Sequence, residues 1–382
     1  MTLSILSLTH DRGLLDASRS SETQIRQLFY CRTLPAHITH LVKSPMGATP
    51  TLSFDDLMAV SPCPVPHWSL FFPCVLWHGA KLLHKRRYDF IQAQEPYLAG
   101  LAGALLSKMF NVPLVVGLFS DEVDNPEWVG KSPMHKIANG IARWVLRQAK
   151  AARADSQAVA ERVGKGNYCP VTYIPFLITH ADKLMAPNAD AAAIRTRLLG
   201  EDAGLLLLAV CRLEEEKNLP LMLNAFAEAS RHRPDMKLAI AGTGRLEAEL
   251  RQLGEHIAPG RIIWLGWVDA AEMGGYYQAA DLMLLSSTRE SAARVLTESL
   301  LSGTPVLTTD TAGAREVIED GVSGRVTPVG DQQAFAQAIL DLTADKEKLR
   351  HYGQQGKQAM RARMTGPAIS AALRDFYKRA AL

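Results

Sequence analysis

The chain has 382 residues, 47% of them apolar and 21% charged, with 42 Lys+Arg against 39 Asp+Glu. That length exceeds one ordinary core and predicts two domains, while a net charge of +3 makes no demand for a nucleic-acid partner. Five cysteines (Cys31, Cys63, Cys74, Cys169, Cys211), odd in number and without CxxC or Cys/His ligand spacing, argue against a disulfide framework and a zinc site and for a reducing compartment.

The first stretch, MTLSILSLTHDR, lacks a basic leader and a long apolar run, so it reads as an opening strand and not a signal peptide. Further strand-like runs follow at 37–43, 90–94, 113–119 and 171–176, with helical patterns between them at 97–110 and 133–151. The longest apolar or small run, YLAGLAGALL (97–106), has ten residues, about half of the roughly 20 that span a bilayer. A cytoplasmic or peripheral chain is expected. Residues 67–90, HWSLFFPCVLWHGAKLLHKRRYDF, set Phe71, Phe72 and Trp77 before Lys81, Lys85, Arg86 and Arg87. This basic, aromatic helix has two readings: peripheral contact with the inner face of an anionic membrane, or a packed helix with a solvated basic end.

The pattern then restarts. Strands at 204–210, 236–242, 261–267, 282–287 and 305–309 alternate with helices at 218–230, 245–254, 271–278 and 293–301. Continuous hydrophobicity in the strands marks parallel sheets covered on both faces. Two βαβ series predict an α/β chain of two Rossmann-like, doubly wound domains with ligands at the carboxyl ends of the strands, the default site being a cleft between facing domains. The expected bounds are 1–183, 184–364 and a C-terminal helix, 365–382, that returns to the first domain. Charge is uneven: residues 1–183 hold 19 Lys+Arg against 14 Asp+Glu, and residues 184–382 hold 23 against 25. The basic first half fits either an anionic surface or substrate, or ordinary scatter.

Three loops of the second half carry chemistry. In VCRLEEEKNLP (210–220), Arg212 and Lys217 lie between a strand and a helix, where a guanidinium fork and an ammonium can hold a diphosphate. Solvated loop charges are the plainer alternative. In IAGTGRL (240–246), Gly242 and Gly244 either let backbone approach a ligand closely or simply form a tight turn. In STRESAARVLTESLL (287–301), Glu290 sits on the loop and Glu298 on the helix beyond it, with small residues from Ser291 to Ala293 at the helix entry. Two acceptor-only carboxylates can each grip a sugar diol, with a pyrophosphate on the amides between them. A helix-dipole role for one acid and a buried role for the other is the competing reading.

In this order the segments are similar to the C-terminal half of the retaining glycosyltransferases of family 4, which have the GT-B architecture. The likeness runs over residues 205–340 and includes TDTAGAREVIEDGVSGRVTPVGD (309–331). It implies that Arg212 and Lys217 stabilise the leaving nucleoside diphosphate in place of a metal. It further implies that Glu298 holds the ribose, Glu290 holds the donor sugar, and the backbone around Ser291, Arg294 and Val295 meets the phosphates. Weaker likeness covers 88–128, 152–163 and 173–184. Two departures stand out. Many members have a histidine where this chain has Phe119-Ser120, which leaves Asp121 as the acceptor-side candidate, or else as a helix-capping acid. Many have paired glycines after the first strand, where this chain has only Gly13, flanked by His10 and Arg12.

The expected activity is transfer of a hexose from a nucleotide-sugar donor to a glycan or lipid-linked saccharide acceptor, without metal or cofactor. An epimerase or sugar phosphorylase of the same fold is the second reading. A catalytically silent subunit of a glycan-assembly complex is the third.

Overall fold

The apolar runs LSILSLT and GLLLLAV each begin a parallel sheet, and the two sheets belong to separate units. The computed structural model describes residues 2–18, 21–47, 50–67, 70–200, 204–364 and 366–381. Unit 1 comprises residues 1–179 and 366–382, and unit 2 residues 180–365. The first break precedes the expected 183/184 because the short helix Ala181–Met185 is fastened to unit 2. Lys357 Nζ donates to the Met185 carbonyl (2.7 Å) and Gln278 Nε2 to those of Leu184 (3.0 Å) and Ala186 (2.7 Å).

Unit 1 is built on β1 (Leu3–Thr9), β2 (Ala36–Ser44), β3 (Leu52–Phe54), β4 (Met58–Pro64), β5 (Phe90–Ala93), β6 (Leu114–Leu118), β7 (Ala151–Ala154) and β8 (Val171–Tyr173). Their order is β3-β4-β2-β1-β5-β6-β7-β8, parallel except for the β3–β4 hairpin. The sequence pattern did not expose that hairpin or the helix Glu22–Thr33. It also ran the helix at 133 through residue 151, whereas the helix ends at Gln148 and AARA (151–154) is β7. Alanine's helix preference is worth less than the full burial that a central parallel strand gives it. The helix Gly366–Ala381 packs on unit 1: Tyr377 Oη donates to Gln92 Oε1 (2.6 Å), and the Phe90 and Tyr377 rings meet edge-on at 5.4 Å.

Within 67–90 the helix Phe71–Lys85 buries Phe71 and packs Phe72 against the core. Of the three aromatics only Trp77 is exposed (57%), with Lys81 Nζ 3.7 Å from its ring centroid. Trp68 and Ser69 lie outside the described residues. Among the described residues no helix is long and apolar enough to cross a membrane.

Unit 2 contains β9 (Leu205–Val210), β10 (Met236–Ala241), β11 (Ile262–Gly266), β12 (Leu282–Leu285), β13 (Val306–Thr309) and β14 (Gly324–Thr327), all parallel, in the order β11-β10-β9-β12-β13-β14. Chain order reverses direction between β9 and β12. The loops leaving those two strands therefore diverge, and the opening they leave is where doubly wound sheets take ligands.

Candidate active site

Loops 211–218 and 286–293 flank this switch point and are stitched together. Ser286 Oγ donates to the carbonyls of Lys217 (2.8 Å) and Asn218 (3.0 Å), and the Thr288 amide donates to the Glu216 carbonyl (2.8 Å). Both loops end in left-handed residues, Asn218 (φ 46°) and Ala293 (φ 40°), immediately before the helices Leu219–His232 and Arg294–Leu301. Neither helix has a side-chain cap at that position, so no side chain there competes for the first-turn amides. A left-handed alanine costs about 1 kcal/mol or more, strain of the sort that collects at functional sites. Gly313 packs closely beneath it: a Cβ there would stand 2.7 Å from the Ser291 carbonyl oxygen and 3.1 Å from the Ala293 methyl.

Two ion pairs occupy the site. Lys217 Nζ donates to Glu290 Oε1 (2.5 Å), and Ser287 Oγ donates to the same oxygen (2.6 Å). One turn into the helix, Glu298 is buried and accepts from Arg294 Nε (2.8 Å) and Tyr277 Oη (3.0 Å). Burial first, and then the Glu298 charge, raise the Tyr277 phenol well above its ordinary range, which keeps it a donor. His180 Nε2 stands 3.9 Å from Glu298 Oε1. Both carboxylates are thus fixed in place by their donors, each with lone pairs left for a ligand.

Other expected residues are placed differently. The Arg212 side chain is 70% exposed and reaches Glu216 (2.6 Å), not Lys217's partner Glu290. Gly242 (φ 137°) and Gly244 serve backbone packing: a Cβ on the first would meet the Cys211 carbonyl oxygen at 1.9 Å, and on the second the Leu213 carbonyl oxygen at 2.4 Å. The Gly242 amide is itself engaged by the Gly266 carbonyl (2.7 Å). The GTG turn therefore supports the loop that carries Arg212. Ser291 and Val295 are half-buried around the helix entry. In unit 1 the Gly13 amide donates to Asp11 Oδ1 (3.0 Å), so it is occupied within its own turn. Asp121 pairs with Arg162 and accepts from Asn125 Nδ2 (3.1 Å), where Asn125 caps the helix Pro126–Gly130; this carboxylate anchors a loop. His10 and Arg12 are exposed after β1.

Residues 192–359 match the family Glycosyl transferases group 1, and residues 36–176 match the Glycosyl transferase 4-like domain. The chain belongs to the family 4 glycosyltransferases. Their GT-B fold recurs in solved structures. The sucrose-phosphate synthase of Thermosynechococcus elongatus has a TM-score of 0.80 at 19% identity, covering 98% of each chain. The Anabaena protein HepE, solved with UDP-glucose, has a TM-score of 0.74 at 21% identity, covering 98% of this chain and 99% of that one. At such identities the likeness is one of fold. In sequence, the chain is 24% identical to the alpha-monoglucosyldiacylglycerol synthase of Streptococcus pneumoniae over 66% of its own length and 58% of that protein's. The alignments take in 40% to 64% of the length of the first curated relatives.

Sequence reading of this family 4 member did not find Tyr277 and Ser287, which hold the two acids, or His180, which stands beside Glu298. Ser287 opens the same stretch, three residues before Glu290, whereas Tyr277 and His180 come from other segments whose local spacing does not point to Glu298. It also missed a convergence in unit 1. Cys63 on β4 and Cys74 and His78 on the helix Phe71–Lys85 bring their ligand-type atoms within 4.8 Å of one another, contrary to the expectation of no Cys/His ligand set. The sulfurs are 3.2 Å apart, and His78 Nδ1 also lies 3.0 Å from the Cys74 carbonyl oxygen. A separation of eleven residues between the cysteines hid this grouping.

Proposed function

We propose that the chain transfers a hexose-type sugar, with retention, from a nucleoside-diphosphate sugar to a glycan or lipid-linked saccharide, without a divalent metal. The observation that carries this reading is the pairing of Lys217 with Glu290 beside a side-chain-uncapped helix entry, with Glu298 buried on that helix.

The chemistry follows from where charge develops. The acceptor hydroxyl oxygen bonds to the anomeric carbon as the bond from that carbon to the diphosphate oxygen breaks. The electron pair leaves with the diphosphate, and the acceptor's proton passes to the departing phosphate oxygen. Lys217, the Arg212 guanidinium and the amides at Arg294 and Val295 receive that charge, and such preorganised donors each contribute about 3–4 kcal/mol to a transition state. Glu298 would take the ribose hydroxyls and Glu290 the donor hexose. In place of a divalent metal, this reading gives the leaving diphosphate the cations Lys217 and Arg212. UDP is the first nucleotide to test, because HepE was solved with UDP-glucose. The lipid-linked form of the acceptor rests on exposed Trp77 and the basic end of its helix.

A thermal-shift screen of nucleoside diphosphates and their sugars, followed by turnover with the best donor, tests the reading. Stabilisation by one nucleotide family that disappears in Glu298→Ala is expected, since ligand bound only to the folded state raises Tm by mass action. Unchanged turnover in both Lys217→Ala and Glu298→Ala would refute it.

A further inference from the structure

Unit 1 has its own switch point, between β1 and β5, where chain order along the sheet reverses. A cavity of about 240 Å³ opens there, at the carboxyl ends of β1, β5, β6 and β7. Its lining includes Thr9, Gln92, Gln94, Arg26 and Arg153. Arg153 is the unusual member. It stands in the alanine-rich strand β7, only 6% exposed. Its Nη2 donates to the Tyr30 hydroxyl (3.2 Å), and its guanidinium carbon lies 5.1 Å from the Tyr30 ring centroid and 5.6 Å from that of Phe119. Its Nε is buried without a partner, and among the described residues no carboxylate pairs with it.

A buried cation with only neutral neighbours is costly, because aromatic faces and one hydroxyl do not replace the water that a guanidinium loses. Such a group persists when a ligand completes it. The second cation of the cavity, Arg26, is also buried: its guanidinium carbon lies 4.3 Å from the Phe176 ring centroid, its Nη2 donates to Thr23 Oγ1 (3.3 Å), and it stands 3.9 Å from the carboxylate of Asp11, which also lines the cavity. A planar fork matches a carboxylate or a phosphate, while Gln92, held through Tyr377 Oη, and Gln94 suit sugar hydroxyls. The excess of 19 Lys+Arg over 14 Asp+Glu in residues 1–183 has the matching sign. Phe119, just past β6, presents its ring to Arg153, 5.6 Å from the guanidinium carbon.

We infer that this cavity is the acceptor site and takes a saccharide bearing an anionic substituent, a phosphate or a carboxylate, with Arg153 as its counter-ion. The inference rests on the glycosyltransferase reading and deepens it. The full chain, first saturated with UDP or whichever nucleoside diphosphate the donor screen returns, is titrated calorimetrically with glucose 6-phosphate, glucuronate and glucose. At least one anionic sugar should bind about tenfold or more tighter than glucose, with a gap that narrows as salt rises. The phosphate and carboxylate arms tell the two sources apart. Arg153→Gln should erase the gap and Arg153→Lys should keep part of it. Equal binding of all three sugars, binding by none, or a gap that survives Arg153→Gln overturns the inference. Failure of the nucleotide to bind overturns the glycosyltransferase reading instead, so the two failures are distinguishable.

Discussion

The two units solve the same topological problem with opposite electrostatics. At the β9/β12 switch point every acid has its cation: Glu290 has Lys217, and Glu298 has Arg294. At the β1/β5 switch point Arg153 has none, and another buried group of unit 1, the His40 ring, likewise lacks a hydrogen-bond partner at both nitrogens. A paired site is held in place before any ligand arrives. An unpaired charge is completed only by the right partner, which makes it a device for selection.

The largest effect that would break this contrast lies in unit 2. Lys217→Ala should lower kcat by about 10²–10³, the usual loss when one preorganised donor to a developing anion is removed; steady-state transfer kinetics measure it. Glu298→Ala should weaken binding of the nucleoside diphosphate that the donor screen returns by about 150-fold or more, since two charge-assisted hydrogen bonds of about 1.5–3 kcal/mol each are at stake. Titration calorimetry reads that loss, and an unaltered affinity would remove the acid from the site. Gly242→Ala should cost about 2–3 kcal/mol in thermal unfolding, because its φ of 137° is strained for alanine and the Cys211 carbonyl fills the space.

Smaller effects sharpen the description of unit 1. Burial holds the His40 imidazole down to about 3, against an ordinary 6.5, so the folded chain stays neutral there while the unfolded chain takes up a proton. Its contribution is intact above pH 6.5 and declines as pH falls, by about 2 kcal/mol at pH 5. Unfolding of wild type and His40→Leu at pH 7 and pH 5 should show a smaller acid penalty in the variant. The smallest change is expected for Arg153→Gln without ligand: Tm equal to or slightly above wild type, since an uncompensated charge is removed. A drop of several degrees would mark Arg153 as a structural cation and erase the contrast between the units.

Local pattern determined much of this molecule. Runs such as LSILSLT and GLLLLAV are strands in any context that buries both faces, and the spacing of Arg212, Lys217, Glu290 and Glu298 fixed which loops carry charge. What pattern could not fix is partnership. Lys217 and Glu290 are 73 residues apart, and Tyr377 reaches Gln92 across 285. AARA has helical propensity and became a strand because neighbouring strands buried it. Gly242 read as room for a ligand and proved to be room for the Cys211 carbonyl. Composition and period act between near neighbours, so they are written in the chain. Which charges meet, and which arginine is left without a counter-ion, depends on long-range packing, so only the folded chain decides it.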